Sequence, residues 1–383
     1  MNKIDTSALR VGQLFSAPVY SEGSNLLVPA LVPLRQKDID LLLTWKIEAV
    51  STEGYVVESD EDEASLEELD ELPSKFSISD VQENSTPYRA YRNLIEKLNI
   101  LFTGLKSGVD VDMRNVDNIV MQLLQDLRAY PDNFVDYILG GEVSGHELAK
   151  SSVNTAIISA LTAQELKLPH RKIQKIVAGA LLHDVGMLRL SKGITEKKGG
   201  LSEAELEQIK SHPLHTSKIV TKELMGPSEV NLIALQHHER WDGKGYPDHL
   251  AGAAIDIGAR IVSVADAFEA MVSKKSYRNS MVGYQAVKNL LADNGRRFDP
   301  NVIIAFTKII GIYPIGSIVR LNDDSVVRVV SIHTDAPMRP VVKMLMDSKG
   351  KVLDPKDAKT INLLEEKTLF LKKAVDPSEI TGI

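Results

Sequence analysis

The sequence predicts a multidomain protein, an all-α helical core flanked by a small N-terminal α+β domain and a small C-terminal β domain. At 383 residues the chain is longer than one hydrophobic core usually serves. Apolar residues recur at helical spacing from about Ser77 to Ile310, as in Ile173, Ile176, Val177, Ala180 and Leu181, or Ile261, Val264, Ala265 and Phe268. On either side of that stretch the period shortens to strand-like runs separated by turn residues.

Taken in chain order, residues 1–57 read as the α+β domain: short apolar runs broken by turns such as Ser21-Glu22-Gly23-Ser24, with one helical stretch from Arg35 to Trp45. Residues 58–76 are rich in Asp and Glu, which repel one another and resist burial, and they are expected to form an acidic linker. The helical region is placed at 77–311. After Tyr313-Pro314 the runs Ser317 to Leu321, Val326 to Ile332 and Val341 to Met346 alternate with turns, so 312–376 is expected to be a small β domain.

Composition narrows the function. Hydrophobic residues at 43% and charged residues at 25% describe an ordinary globular protein. The chain has no cysteine, which excludes disulfides, thiolate metal sites and thiol nucleophiles, so any metal must be held by His and carboxylate. No run approaches the roughly 18 apolar residues of a membrane span, and the first residues lead into no apolar leader, so no membrane span and a cytoplasmic location are expected. A net charge of -7 without a long Lys/Arg block argues against duplex nucleic acid as a partner.

Chemistry concentrates in four short segments of the helical region. An apolar helix runs into His183-Asp184-Val185-Gly186; His212 precedes Pro213; His237-His238 opens a string that continues through Trp241-Asp242-Gly243-Lys244-Gly245-Tyr246-Pro247; and Asp266 interrupts the apolar stretch Ile261 to Met271. Pro213 favours a helix start, placing His212 at or near an N-cap. A carboxylate in an apolar helix needs a cation or a strong donor. Any one of these histidines alone is most simply a hydrogen-bonded core residue. Four imidazoles and two carboxylates without sulfur together suit iron, manganese or zinc, and two such ions about 3.5–4 Å apart suit in-line displacement at phosphorus. The remaining histidines His170, His215, His249 and His333 lie in polar or turn contexts and are assigned no role.

These segments resemble the HD-GYP family. Its His-Asp-x-Gly-Lys appears as His183 to Met187, its isolated His-Pro as His212-Pro213, its His-His-Glu-x-x-Asp-Gly-x-Gly-Tyr-Pro as His237 through Pro247 complete, and its Val-Ala-Asp as Val264-Ala265-Asp266. The resemblance covers roughly residues 140–306 and implies a helical HD-superfamily fold with a binuclear or trinuclear metal site that hydrolyses cyclic di-GMP to linear pGpG and/or GMP. It implies one ion on His183, Asp184 and Asp266 and another on Asp184, His212, His237 and His238, with Asp184 as the bridge and a water between the ions as nucleophile. The catalytic positions carried over are Asp184 and His183. The loop of Asp242, Gly243, Gly245, Tyr246 and Pro247 would border the site and contact a GGDEF diguanylate cyclase partner. The N-terminal unit is expected to sense a signal or to mediate a homodimer, and the C-terminal β unit, which resembles the small barrel-like modules appended to such enzymes, to do either.

Three departures from the family pattern matter. Met187 stands where the family has a lysine, which removes a phosphate-facing cation, and Arg189 is the candidate substitute. The upstream Glu and His of a third metal site correspond to Glu147 and Ser151, so a third site is expected to be absent or weak, with Glu147 as an extra ligand at most. Lys275-Ser276-Tyr277-Arg278 replaces Arg-Pro-Tyr-Arg, leaving Lys275 and Arg278 as candidate substrate-phosphate contacts. A cyclic-dinucleotide phosphodiesterase is therefore the leading expectation. The alternatives are a sensor or interaction module without turnover, and a phosphodiesterase for another cyclic dinucleotide such as cyclic GMP-AMP.

Overall fold

The computed structural model describes residues 2–15, 19–21, 25–28, 34, 39, 42, 47, 49–54, 56–57, 85–130, 133–140, 146–195, 197, 200–273, 283–354 and 358–375. It divides into two compact units, residues 70–286 with 296–310, and residues 1–69 with 287–295 and 311–383. The expected acidic linker lies outside the described residues, and of the helical stretch from Arg35 to Trp45 only Ile39 and Leu42 are described, both helical and buried.

In the mainly non-helical unit the N-terminal strands β1 (Asn2–Asp5), β3 (Val19–Ser21), β4 (Asn25–Val28) and β5 (Ala49–Thr52) form an antiparallel sheet ordered β1-β5-β3-β4, and β2 (Leu14–Phe15) pairs with β6 (Val56–Val57). Phe15, Val19, Val28, Leu34, Leu42 and Val50 belong to their buried core, with Leu9, Ile39 and Ile47. The C-terminal strands β7 (Ile318–Leu321), β8 (Val326–Ser331), β9 (Val341–Met346), β10 (Thr360–Asn362) and β11 (Leu371–Ala374) form a five-stranded antiparallel sheet ordered β10-β9-β8-β7-β11. The sequence pattern anticipates the first three of these strands. It misses β10 and β11, which are three and four residues long and too polar to show an apolar period.

The other unit is helical. Its helices are α1 (Thr86–Ser107), α2 (Met113–Ala129), α3 (Asn133–Gly140), α4 (Glu147–Glu165), α5 (His170–Leu182), the short α6 (Lys192–Thr195), α7 (Glu203–Lys210), α8 (His212–Lys218), α9 (Ser228–Gln236), α10 (Ile257–Val272) and α12 (Pro300–Ile310). Between the last two, α11 (Gly283–Ala292) runs across the division between the units. Among the described residues no helix is long and apolar enough to cross a membrane. The fold class expected from the sequence, a helical core with small flanking domains, is the one observed.

Helix α4 is the central element, buried from Ser152 to Ala160 without interruption and packed against α1, α5, α10 and α12. Its all-round burial matches the near-absence of charge over that stretch. A second contact decides where the site lies. The side chain of Ile233 on α9 occupies the space that a Cβ would need at Gly179 on α5, 2.5 Å away, and at Gly258 on α10, 2.7 Å away. Only glycine lets three helices close on one isoleucine in this way. At the starts of the two outer helices, Lys172 Nζ pairs with Asp256 Oδ2 at 2.8 Å, and Asp256 caps α10 by accepting the Gly258 N–H at 2.7 Å.

Ile233 is fully buried. Ile233→Ala is therefore expected to destabilise the helical unit by about 2–5 kcal/mol, the usual range for emptying a core isoleucine site. Denaturant unfolding followed by helical circular dichroism measures this. A loss under about 1 kcal/mol would mean the three helices do not depend on the contact.

Candidate metal centre

Three of the four histidines are held by one device. His183 follows the last residue of α5, His237 follows the last residue of α9, and His212 lies two residues beyond α7. In each, Nδ1 lies 2.7 Å from the carbonyl oxygen three residues earlier: Ala180 for His183, Ala234 for His237 and Ile209 for His212. A helix end leaves its last carbonyls without intrahelical partners, and an imidazole there can donate to one of them. Because a carbonyl only accepts, Nδ1 carries a proton, and in the neutral ring each Nε2 is left with its lone pair facing the interior.

Those lone pairs converge. His212 Nε2 and His237 Nε2 are 3.3 Å apart, and Asp184 Oδ1 is 3.0 Å from the first and 3.7 Å from the second. His183 Nε2, buried and without a hydrogen-bond partner, lies 3.5 Å from both Asp184 Oδ2 and Asp266 Oδ1. The ligand atoms of Asp184, His212, His237 and His238 all fall within 4.8 Å of one another, as do those of His183, Asp184 and Asp266. Asp184 belongs to both groups. Facing nitrogen lone pairs repel one another unless a cation sits between them, and an orphaned buried Nε2 needs one too. A set of imidazole and carboxylate donors fits transition-metal dications.

Electrostatics in the absence of metal follow the same geometry. Burial opposes charge on His183, but the Asp184 and Asp266 carboxylates outweigh it and raise its pKa to about 9. Burial likewise opposes charge on His212, and Asp184 again prevails, shifting it upward. His237 is pushed well below the usual histidine range by burial and by the neighbouring His238 and His183. Burial lowers His238 to about 4 despite the pull of Asp266. Although burial favours their neutral forms, Asp184 is held well below the carboxylate range by His183 and His212, and Asp266 is lowered by its contact with His183. Both carboxylates are therefore ionised.

Two glycines and a threonine set the spacing. A Cβ on Gly186 would lie 2.1 Å from the His212 carbonyl oxygen, so only glycine lets the turn after His183 pack on the start of α8. There the Thr216 hydroxyl accepts the Gly186 N–H at 2.9 Å and donates to the His183 carbonyl at 3.0 Å, tying the two metal-facing segments together. Motif spacing does not single out Thr216, although its place four residues after His212 on one helix face is the available signal. A Cβ on Gly245 would meet Arg240 N at 2.4 Å and Glu239 Cα at 2.5 Å, so the loop lies directly on the backbone of residues 238–240.

The rest of that loop is internally braced. Glu239, only 2% exposed, accepts the N–H groups of Asp248 at 2.6 Å and Leu250 at 3.1 Å. Asp242 pairs with Arg240 and accepts the Lys244 N–H, Gly243 has φ +76°, and the Tyr246-Pro247 peptide is cis. Tyr246 stacks on His238 with ring centroids 4.8 Å apart, and its phenol is pushed upward by burial and by Asp184 and Asp266, so it is neutral at physiological pH.

The other residues singled out by the sequence meet different fates. Glu147 is exposed in the first turn of α4 and joins neither ligand group formed among the described residues. The Ser151 hydroxyl donates instead to buried Glu269 at 2.6 Å. Glu269 also accepts from Asn154 at 3.3 Å and Ser273 at 2.5 Å. The guanidinium of Arg189, the candidate substitute for the missing lysine, reaches both oxygens of Glu223 at 2.8 and 2.6 Å. Lys275 and Arg278 lie outside the described residues.

Comparison with known proteins fits this site. Residues 144–302 match the family described as HD domain, and residues 318–383 match the KOW domain associated with HD domain. The cyclic di-GMP phosphodiesterase PdeB of Borreliella burgdorferi is 27% identical over 344 residues, 90% of this chain and 88% of that protein. This chain is an HD-GYP domain protein. Shorter matches are the cyclic di-GMP phosphodiesterase response regulator RpfG of Xanthomonas campestris, 38% identical over 39% of this chain and 40% of that one, and the 3'3'-cGAMP-specific phosphodiesterase 1 of Vibrio cholerae, 40% identical over 31% of this chain and 27% of that one.

Thr216→Val keeps the shape of the side chain but leaves a buried N–H and a buried C=O unpaired, for an expected loss of about 1–3 kcal/mol each. Thr216→Ser retains the hydroxyl and is expected to lose under about 1.5 kcal/mol, roughly one methyl group. Thermal unfolding of both variants checks this, and equal losses would mean the hydroxyl bridge is immaterial.

Proposed function

We propose that this protein is a metal-dependent phosphodiesterase hydrolysing a cyclic dinucleotide, with cyclic di-GMP opened to linear pGpG and/or GMP. The observation that carries this reading is the meeting of two ligand groups at one carboxylate, Asp184. The activities named for PdeB and RpfG support it.

In this reading His183, Asp184 and Asp266 hold one ion, and Asp184, His212, His237 and His238 hold the other; iron or manganese suits the donor set and zinc is compatible with it. Such a pair, when bound, supplies activation of water near neutral pH and stabilisation of both attacking and leaving oxygens in an in-line displacement. The chain supplies the rest. Its helix-end carbonyls keep three imidazoles in the tautomer that presents Nε2. The neutral phenol of Tyr246 borders the site with an O–H to offer a substrate oxygen. In the hydrolysis a water oxygen bonds to phosphorus, the bond from phosphorus to the 3′ oxygen breaks, and a proton from the water passes to that oxygen.

The exposed rim of the loop, with Asp242 and Lys244, is the surface we assign to a GGDEF partner, and a homodimer through the N-terminal unit and a cytoplasmic place of action belong to the same proposal. A second reading, nucleotide binding with little turnover, is favoured by the turn at residues 185–189. Met187 there carries no charge, and Arg189, the turn's one cation, is engaged by Glu223.

Anaerobic incubation of Fe(II)- or Mn(II)-loaded protein with cyclic di-GMP, and in parallel with cyclic GMP-AMP, is expected to yield linear dinucleotide or mononucleotide from the former, and Asp184→Ala to yield none. Preference for cyclic GMP-AMP would reassign the substrate. Nucleotide binding without product in the fully loaded protein would establish the second reading.

A proton count gives a separate check. With His183 lifted to about 9, the metal-free site is protonated at pH 7, and metal must displace that proton. Apparent affinity for the ion on His183, Asp184 and Asp266 is expected to rise by about tenfold per pH unit between pH 7 and 9 and to flatten above. A flat profile over that window, measured by competition with a chelator of known pH dependence, would show that no proton is displaced from His183.

A further inference from the structure

We propose that the ring of Tyr246 positions the imidazole of His238, so that the seating of the 242–247 loop sets how tightly the ligand group of His212, His237 and His238 holds its ion. The inference rests on the metal-dependent reading above.

His183, His212 and His237 are each oriented by a hydrogen bond from Nδ1 to a backbone carbonyl. The imidazole of His238 makes no hydrogen bond to a described residue, so ring contacts orient it. Two of those contacts come from other ligands, His237 at 4.0 Å between centroids and His212 edge-on at 4.9 Å. Among the described residues Tyr246 is the one ring contact that is not itself a ligand, lying nearly parallel to the imidazole at 29°. Its backbone holds the same residue, since the Tyr246 N–H donates to the His238 carbonyl at 3.3 Å. Gly245 permits this closeness because no Cβ fits between the loop and residues 238–240. The loop thus clasps residue 238 by both its carbonyl and its ring. A hydrogen-bonded partner that orients a ligating histidine typically contributes about 10- to 100-fold in metal affinity, and the Tyr246 ring takes that orienting place for His238.

The test uses the full chain, with Co(II) as a spectroscopic probe of each bound ion and elemental analysis of metal per chain after dialysis. Wild type and Tyr246→Phe are expected to bind two ions with the same visible spectrum, because the ring suffices. Tyr246→Leu is expected to weaken one ion by about 10- to 100-fold and to leave the other, on His183, Asp184 and Asp266, at wild-type affinity. The retained ion reports that the variant is folded. Two ions at wild-type affinity in Tyr246→Leu would overturn the positioning role, as would equal weakening of both. Failure of wild type to bind two ions would overturn the metal reading itself, and the inference with it.

Discussion

Ile233 fills the space that side chains on Gly179 and Gly258 would occupy, and this close approach of α5, α9 and α10 determines where the metal-facing groups carried by these three helices and their ends lie, while Gly186 and Thr216 bring α8 with His212 against them. The ion pair of Lys172 and Asp256 ties the outer two helices at their starts, so the far end of α5 and the middle of α10 run on together. His183 directly follows α5, His237 and His238 directly follow α9, and Asp266 lies on α10. A wider spacing at the glycines would spread these residues beyond the few ångströms over which donor atoms can share an ion. Close packing of interiors transmits such a change rather than absorbing it.

Helix ends then do the chemical preparation. A carbonyl at a helix C-terminus lacks an intrahelical partner, and three times in this protein an imidazole Nδ1–H satisfies one. The same hydrogen bond selects the tautomer and aims Nε2 inward. Negative charge from Asp184 and Asp266 makes the interior suited to cations, while burial and mutual repulsion hold His237 and His238 neutral and ready to coordinate. Structural capping and ligand orientation are here one interaction.

The neighbouring carboxylate shows how similar residues can be given different work. Glu269 lies three residues after Asp266 on α10, yet hydroxyls of Ser151 and Ser273 and the amide of Asn154 occupy it. Asn154 in turn accepts the phenol of buried Tyr91 on α1 at 2.6 Å. This network gives Glu269 structural partners, and Ser151 takes part in it where a third-site histidine would stand. Met187 and the engaged Arg189 likewise leave the 185–189 turn without a free cation.

Residue types, their order and the helical period determined much of this protein. They gave the helical core, the three longer C-terminal strands and the grouping of His183, Asp184, His212, His237, His238 and Asp266, because apolar spacing and distinctive donor strings are local properties of a chain. They could not give Thr216 its bridge, Glu223 its hold on Arg189, Glu147 its exposure, or Tyr246 its place on His238. Those depend on which segments, 30 residues or more apart in the first two cases, meet after packing. A donor string announces that ligands exist. The approach of α5, α9 and α10 across Ile233, together with the seating of α8 on Gly186, decides which lone pairs face one another, since distance and direction between segments are set by the whole core rather than by any one of them.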